Sequence, residues 1–273
     1  MHQVGKLDIT LALGEFIMTR IETQQFFELL WGMTERELRA RYKYTVFGFL
    51  WIVLNPAFQM LIIGFIFRFF MKEPVQNYYY FLFIGLLIWN FFSLSLSKAT
   101  PSIVFERTLI KKAKFSRSII PLAIVFSNFV HLMVAMVLLT VPVLFLNTMT
   151  ITSIFYILIA FVLLLVFTSG ISLLCAALDV RFRDVNFFVQ AFIIFWFYAT
   201  PIIYPLSIVP YQYYWLWRFN PMTEMLQFLQ HGFLGMPLPG TAMIIINTML
   251  IITVAAAGIW VFGKESKNFD DWV

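Results

Sequence analysis

The stretch whose spacing most resembles a chemical site is 258–264. It reads Gly258-Ile-Trp-Val-Phe-Gly263-Lys264, the spacing of a P-loop that holds phosphates with backbone N–H groups and a lysine. Glu265 follows, where Mg²⁺ coordination requires Ser or Thr, and the stretch ends an apolar run instead of following a strand. We therefore interpret Lys264 as an anchor at the membrane surface and predict no ATP site in this chain.

Ionisable side chains offer little else for catalysis or ion coupling. Ion-coupled transport usually needs charged groups at membrane depth, yet the acids avoid the centres of the apolar runs, as Asp179 and Glu224 illustrate. His131 lies deep in one run, and we interpret it as a hydrogen-bonded packing residue, with a proton relay as the alternative. Because the histidines are far apart and lack a Cys partner, we predict no metal site and no catalytic residue.

Composition places the chain in a membrane. Hydrophobic residues make up 61% and charged residues 12% of the 273 residues, and mean hydropathy is +0.85. A soluble globular chain carries about twice that charged fraction. The one cysteine, Cys175, cannot form a disulfide within the chain.

Six apolar runs are long enough to cross a bilayer, which needs about 20 residues per helix. They are apolar on all faces, which is typical of membrane helices and not of barrel strands. The sequence thus predicts an all-α membrane protein with six transmembrane helices. The runs are 47–71, 79–97, 119–146, 151–178, 187–205 and 241–262.

Orientation follows from the basic residues. Most Lys and Arg lie before residue 47, in the 98–118 loop, in the 179–186 turn and in the tail, whereas the opposite loops hold only Lys72 and Arg218. Cytoplasmic loops are the basic ones, so both termini are predicted in the cytoplasm. This topology accounts for the net charge of +5 without nucleic acid. The predicted domains are a cytoplasmic segment 1–46, a transmembrane domain 47–262 and a tail 263–273.

Two other regions are neither spans nor short loops. Residues 24–43 show an amphipathic pattern that favours a helix lying in the cytoplasmic interface, with a soluble helix packed on a partner as the alternative. The segment 205–240 is too apolar for a free loop, and Asn220-Pro221 predicts a helix start, with an end near Gly232 or Gly235. We expect external re-entrant half-helices between spans five and six.

The 98–118 loop has features of a docking element. Thr100-Pro101 predicts an N-cap and a first helical residue, followed by a helix of about three turns that carries Glu106, Ile110 and Lys112. A short amphipathic helix of this kind fits a groove on a partner protein. The alternative is a solvated turn whose charges serve only topology.

Aromatic residues crowd the predicted outer side. Their rings could pack on sugar faces and so suit a polymer conduit, or they could form the aromatic belt at the lipid headgroups. The candidates for a substrate channel are Tyr79, Trp89, Phe92, Trp196, Tyr198 and Tyr204.

Four motifs, taken in order, resemble one family. The run from Arg39 to Trp51 before Asn55-Pro56 is similar to the start of the first span in ABC-2 type polysaccharide export permeases. The run from Glu106 to Arg117 resembles their coupling loop, with Ser116 where the family often has Pro. Further similarities are Arg181-Phe-Arg183-Asp184 in the second cytoplasmic turn, and Tyr204-Pro205, Asn220-Pro221 and Gly235-Met-Pro237 in the external segment.

The resemblance, which is nearest to O-antigen permeases, implies a homodimer in the cytoplasmic (inner) membrane with a channel lined from spans one, two and five. Two cytoplasmic ATPase subunits would bind ATP and Mg²⁺, and the cargo would be a polysaccharide on an undecaprenyl-type lipid. Export of teichoic acid, drugs or small lipids is the alternative. The residues implied to couple the permease to the ATPase are Glu106, Arg107, Leu109, Ile110, Lys111, Lys112, Arg36, Arg39 and Arg41.

Overall fold

The computed structural model describes residues 23–41, 43, 48–70, 76–146 and 148–269, and these contain helices and no strand. Tyr42, part of the predicted amphipathic pattern, lies outside them. The helices are α1 (23–41), α2 (Trp51–Phe70), α3 (Tyr78–Ala99), α4 (Ser102–Phe105), α5 (Arg107–Lys112), α6 (Ile119–Leu144), α7 (Ile151–Arg181), α8 (Asp184–Ala199), α9 (Tyr214–Arg218), α10 (Pro221–Leu234) and α11 (Thr241–Glu265).

Four of these helices, α3, α6, α7 and α11, are long and apolar enough to cross a membrane. α2 and α8 are also apolar but contain shorter apolar stretches, Trp51–Phe67 and Asp184–Ala199. Each of the six predicted runs therefore contains an apolar helix, and the chain is an all-helical membrane protein. That all six cross the bilayer stays a prediction.

α3 is the centre of the packing. It contacts α2, α6, α7, α8 and α10, and its buried side chains belong to the main apolar cluster of the molecule. A helix covered on so many sides needs apolar residues all round, which explains why its sequence shows no polar face. These five helices are positioned against it, whereas α11 packs mainly on α7.

α7 and α11 cross each other at very short distance. An ideal Cβ built on Gly258 of α11 would lie 2.0 Å from the carbonyl oxygen of Gly170 in α7. Only glycine fits a backbone approach this close, as at many contacts between membrane helices. The P-loop-like stretch 258–264 lies inside α11, so it forms no phosphate-binding loop, and Gly258 serves the packing of this helix on α7.

The predicted caps of α10 are confirmed. The side chain of Asn220 accepts a hydrogen bond from the backbone N–H of Met222 at 3.1 Å, and Pro221 occupies the first turn. Gly235 ends the helix with φ +68°, a left-handed conformation that glycine adopts without steric strain. Before α10, residues 206–218 form two 3₁₀ turns and the five-residue α9.

The prediction of a single three-turn helix within 98–118 is wrong, because the segment forms two short helices, α4 and α5, separated at Glu106. Thr100 does not cap α4 either. Its hydroxyl donates to the carbonyl oxygen of Leu96 at 2.7 Å, and its N–H bonds the same oxygen at 3.1 Å. Thr100 thus completes α3, and Pro101 takes the N-cap position of α4.

Candidate functional site

The N-terminal helix α1 is fixed to the membrane domain along one edge. Leu30 is buried and forms a small cluster with Ile119 and Ala123 at the start of α6. Phe27 and Trp31 are 61% and 65% exposed on other faces of the helix. α1 therefore packs on the end of a membrane helix while Phe27 and Trp31 are uncovered in the single chain, which is compatible with both a membrane surface and a partner.

An ion pair joins α1 to the break between α4 and α5. The Arg36 guanidinium donates to Glu106 at 2.5 Å and also contacts Glu37 at 3.3 Å. Partial burial acts to lower the pKa of Arg36, but the hydrogen bond and charge of Glu106 outweigh it, so that this pKa is raised. Arg39 pairs with Glu35 on the exposed side of the same helix.

α5 is anchored by one apolar side chain and otherwise faces solvent. Ile110 is 5% exposed and packs in a cluster that includes Leu173 of α7 and Phe262 of α11. Leu109 is half-buried. The exposed side chains of α5 and of the end of α4 are Phe105, Arg107, Thr108, Lys111 and Lys112.

Phe105 is a candidate that the sequence analysis did not single out. It is 77% exposed next to the Arg36–Glu106 pair, where a large apolar ring has no partner within the described chain. An exposed aromatic rimmed by charged groups is typical of a protein contact surface. The signal was present in the sequence, because Phe105 is an aromatic residue within a charged cytoplasmic loop.

Arg41 lies apart from the other predicted coupling residues. Its guanidinium donates to Asn128 Oδ1 and to His131 Nδ1 of α6, both at 2.6 Å. The interpretation of His131 as a hydrogen-bonded residue is thereby confirmed. The structure brings together Arg36 and Glu106 but not Arg41, whose coupling role stays a prediction.

Three of the six channel candidates form one aromatic cluster. Phe92 has its ring centroid 5.5 Å from that of Trp89 and 5.2 Å from that of Trp196. Phe92 is fully buried and Trp89 is 6% exposed, so in the single chain these rings contact other side chains. The indole N–H of Trp196 donates to Asn220 Oδ1 at 3.1 Å, which ties the cluster to the start of α10.

The three tyrosines among the candidates lie outside that cluster. Tyr198 is 65% exposed, and the hydroxyl of Tyr204 donates to its carbonyl oxygen at 3.0 Å. Tyr79 is 37% exposed, with its ring against Gly64 of α2. The channel role of all six residues stays a prediction, and Tyr198 has the most exposed side chain among them.

α2 and α8 each carry a broad exposed apolar face. An uncovered surface of this kind is unfavourable in water and requires lipid or another protein chain. Its exposed phenylalanines include Phe58, Phe65 and Phe69 of α2 and Phe187, Phe188 and Phe195 of α8.

A buried carboxyl group lies between α10 and α11. Glu224 is fully buried, one oxygen accepts from the Thr248 hydroxyl at 3.3 Å, and the other has no hydrogen-bond partner among the described residues. Burial raises the pKa of Glu224 from 4.5 to about 7. The protonated form is therefore the one that the folded protein stabilises.

We expect Glu224→Gln to remove a pH dependence of stability. Because the pKa of Glu224 rises on folding, its contribution is complete below pH 4.5 and is lost as pH rises to about 7. The difference in melting temperature between the Gln variant and the unmodified protein should grow over that interval and then level off. Melting curves of the purified protein in detergent at several pH values measure this. A constant difference would contradict it.

Comparison with known proteins agrees with this architecture. Residues 28–234 match the family model described as ABC-2 type transporter. Two relatives from Klebsiella pneumoniae, each named O-antigen export system permease protein RfbA, are each 33% identical over 250 residues, or 89% of this chain and 94% of theirs. A protein of the same name from Myxococcus xanthus is 28% identical over 250 residues, or 91% of this chain and 96% of its own. The chain therefore belongs to the ABC-2 type transporter family.

Proposed function

We propose that this chain is the permease subunit of an ABC transporter that exports a lipid-linked, O-antigen-like polysaccharide across the cytoplasmic membrane. The observation that carries the proposal is the match of almost the whole chain to relatives named O-antigen export permeases. The energy would come from ATP and Mg²⁺ in a separate subunit, since transporters of this family are permease subunits and not enzymes.

In this proposal the six apolar helices α2, α3, α6, α7, α8 and α11 cross the membrane, with both termini in the cytoplasm. The boundaries are those predicted from sequence, with residues 1–46 and 263–273 cytoplasmic. α9 and α10 form the external re-entrant segment within 205–240. The buried environment of α10 supports this, because most of its side chains are covered by α7, α3 and α11.

A homodimer explains the uncovered faces of α2 and α8. Each is an apolar helix with large exposed Phe side chains, and two copies of the chain could cover part of that surface while leaving a path between them. Tyr198 at the end of α8 and Tyr79 at the start of α3 would then contact sugar rings. The buried cluster around Phe92 would hold α3 and α8 in place.

The cytoplasmic surface formed by α1, Phe105, Glu106 and α5 is the proposed contact for the ATPase. Ile110 fixes α5 to the membrane domain, and the Arg36–Glu106 pair links it to α1. A push on α5 from a partner would therefore reach α7 and α11 directly through the apolar cluster around Ile110.

Deletion of the gene tests the function. Cells that lack this chain should lose the polymer from their surface and accumulate it inside on its lipid carrier, and plasmid-borne protein should restore export. Surface polysaccharide is measured by gel electrophoresis of extracted glycolipid. Unchanged surface polymer combined with altered efflux of a drug or a small lipid would favour the alternative cargo and contradict the proposal.

Charge reversal tests the Arg36–Glu106 link. Arg36→Glu or Glu106→Arg alone places like charges opposite each other, and we expect polymer export to fall about tenfold. Stability should change by less than about 1 kcal/mol, because the pair is partly exposed. The double reversal restores the attraction and should recover most export. Normal export in both single variants would show that the pair has no role in coupling.

A further inference from the structure

A groove of about 1160 Å³ lies between α6, α7 and α11, below the segment that joins α5 to α6. α7 packs on both of the other helices, and the groove follows it. The side chains along it are apolar and include Leu122 and Phe126 of α6, Leu165 of α7 and Ile259 of α11. Its volume exceeds the roughly 300–1,000 Å³ of sites for drug-sized ligands, so a larger apolar molecule fits.

Small residues of α7 and α11 leave this space unfilled. The two helices approach closely at Gly170, where an ideal Cβ would lie 2.5 Å from the Cα of Ala255. Ser169 and Gly263 also line the groove, and a Cβ at Gly263 would have no atom within 4 Å. The described chain therefore does not fill the space beside Gly263 with its own side chains.

The groove has about the depth of one leaflet of a bilayer. Ala255 lies ten residues before Glu265, the last residue of α11, which corresponds to about 15 Å of helix. Phe126 lies seven residues after Ile119, the first residue of α6, or about 11 Å. Half of a hydrocarbon core is about 15 Å. Both helices thus place the inner end of the groove near the middle of the membrane.

The other end of the groove is strongly cationic. No Asp or Glu is among its described lining residues. Lys114 and Lys267 are exposed, and neither forms an ion pair with a described residue. The guanidinium of Arg117 donates to the carbonyl oxygen of Ser266, which joins the loop to the end of α11. The basic residues that line the groove are Lys111, Lys112, Lys114, Arg117 and Lys267.

Two hydroxyl groups add hydrogen-bonding capacity beside these cations. The hydroxyls of Ser116 and Ser118 lie 2.9 Å apart in one hydrogen bond, and both residues line the groove. A hydroxyl pair of this kind has one further proton to donate to an anion. α6 begins directly after Ser118, so the positive end of its dipole lies at the same place.

We propose that the groove binds an anionic phospholipid of the cytoplasmic leaflet, with its acyl chains along α7 and its phosphate between Lys114 and Lys267. Basic pockets between membrane helices on the cytoplasmic side are typical sites for anionic head groups. A groove that ends near the middle of the bilayer matches acyl chains of one leaflet and is too short for an extended undecaprenyl chain. The inference goes beyond the proposed function and takes from it only the cytoplasmic side of the 98–118 loop.

Lipid binding to the full-length permease in detergent, alone and in complex with its ATPase, tests the charged end. The probes are phosphatidylglycerol and phosphatidylethanolamine with the same acyl chains, and native mass spectrometry measures Kd. We expect phosphatidylglycerol to bind at least about tenfold more tightly. Lys114→Gln and Lys267→Gln should each weaken its binding about fivefold, and that of phosphatidylethanolamine by no more than about twofold. Lys264→Gln is the matched control, since Lys264 lies over the ring of Trp260 and does not line the groove.

Gly263→Leu tests the apolar part of the groove. Leucine is a good helix former, and its side chain would enter the space beside position 263. We expect this variant to weaken the binding of both lipids at least about fivefold, because it removes room for acyl chains whatever the head group. The lysine variants act mainly on the anionic lipid, so the two kinds of variant separate head-group binding from chain binding.

Five results would each overturn the proposal. The first is equal affinity for the two lipids in the unmodified protein, a comparison that needs no variant. Equal losses in Lys264→Gln and Lys267→Gln would show a general effect of charge, and full binding in Gly263→Leu would place the chains elsewhere. A preference that disappears in the complex would assign the lysines to the ATPase contact. Displacement of phosphatidylglycerol by equimolar undecaprenyl phosphate would assign the groove to the cargo. Surface polymer enters none of these measurements, so a failed deletion experiment leaves the lipid site standing.

Discussion

Alanine at position 258 should destabilise the folded chain by about 3 kcal/mol, the upper end of the usual cost of overpacking a well-packed interior. The added methyl group would lie 2.0 Å from the carbonyl oxygen of Gly170 and 2.8 Å from its carbonyl carbon. These are backbone atoms of α7, which cannot rotate away as the end of a side chain can. α7 and α11 would have to separate, and their contact is the most extensive helix pair among the described residues.

Gly263 provides the matched control in the same helix. A Cβ at Gly263 would have no atom within 4 Å, and alanine is the better helix former by about 1 kcal/mol. Gly263→Ala should therefore leave stability unchanged or raise it, while Gly258→Ala lowers it. Thermal unfolding of both variants in the same detergent measures the difference. Equal melting temperatures for the two would contradict the close crossing of α7 and α11.

Aspartate in place of Ile110 should release α5 from the membrane domain and remove the ATPase from the purified complex. Ile110 is 5% exposed among Leu173, Val180 and Phe262. Burial of an unpaired carboxylate there costs several kcal/mol, which exceeds what one short helix gains by packing. We expect the ATPase to be lost from affinity-purified permease and polymer export to fall more than about tenfold, in line with that energetic cost.

Thr108→Asp places the same charge two residues earlier on an exposed position of α5. It should leave ATPase binding and export within about twofold of the unmodified protein, because an exposed carboxylate stays hydrated. If Ile110→Asp retained the ATPase and exported polymer normally, α5 would have no role in coupling. If both variants failed equally, the charge of the loop and not the anchoring of Ile110 would be responsible.

Local signals in the sequence predicted much of the fold. The ends of α10 were readable because Asn220, Pro221 and Gly235 each have one strong conformational preference at a helix end. The positions of the apolar helices followed from hydropathy, since the length of an apolar run needs no knowledge of its neighbours. The break at Glu106 was not predicted, because it depends on contacts of α4 and α5 with other helices.

The candidate site was only partly predictable for the same reason. Arg36 contacts Glu106, which lies 70 residues later in the sequence, and Arg41 contacts His131, which lies 90 residues later. Pairs this distant in sequence leave no local pattern. The buried and exposed faces of α3 and α8 could not be predicted either, because a helix that is apolar all round has no polar face to mark its orientation. Phe92 is buried and Tyr198 is exposed, yet both belong to apolar runs.

The glycine contact between α7 and α11 has a consequence for movement during transport. Backbones this close cannot slide or tilt independently, because any shift would bring carbonyl oxygens and Cα atoms into collision. We therefore expect α7 and α11 to travel as one rigid body. Widening of a path for the cargo would then take place where contacts are sparse, as α2 and α8 move relative to that body.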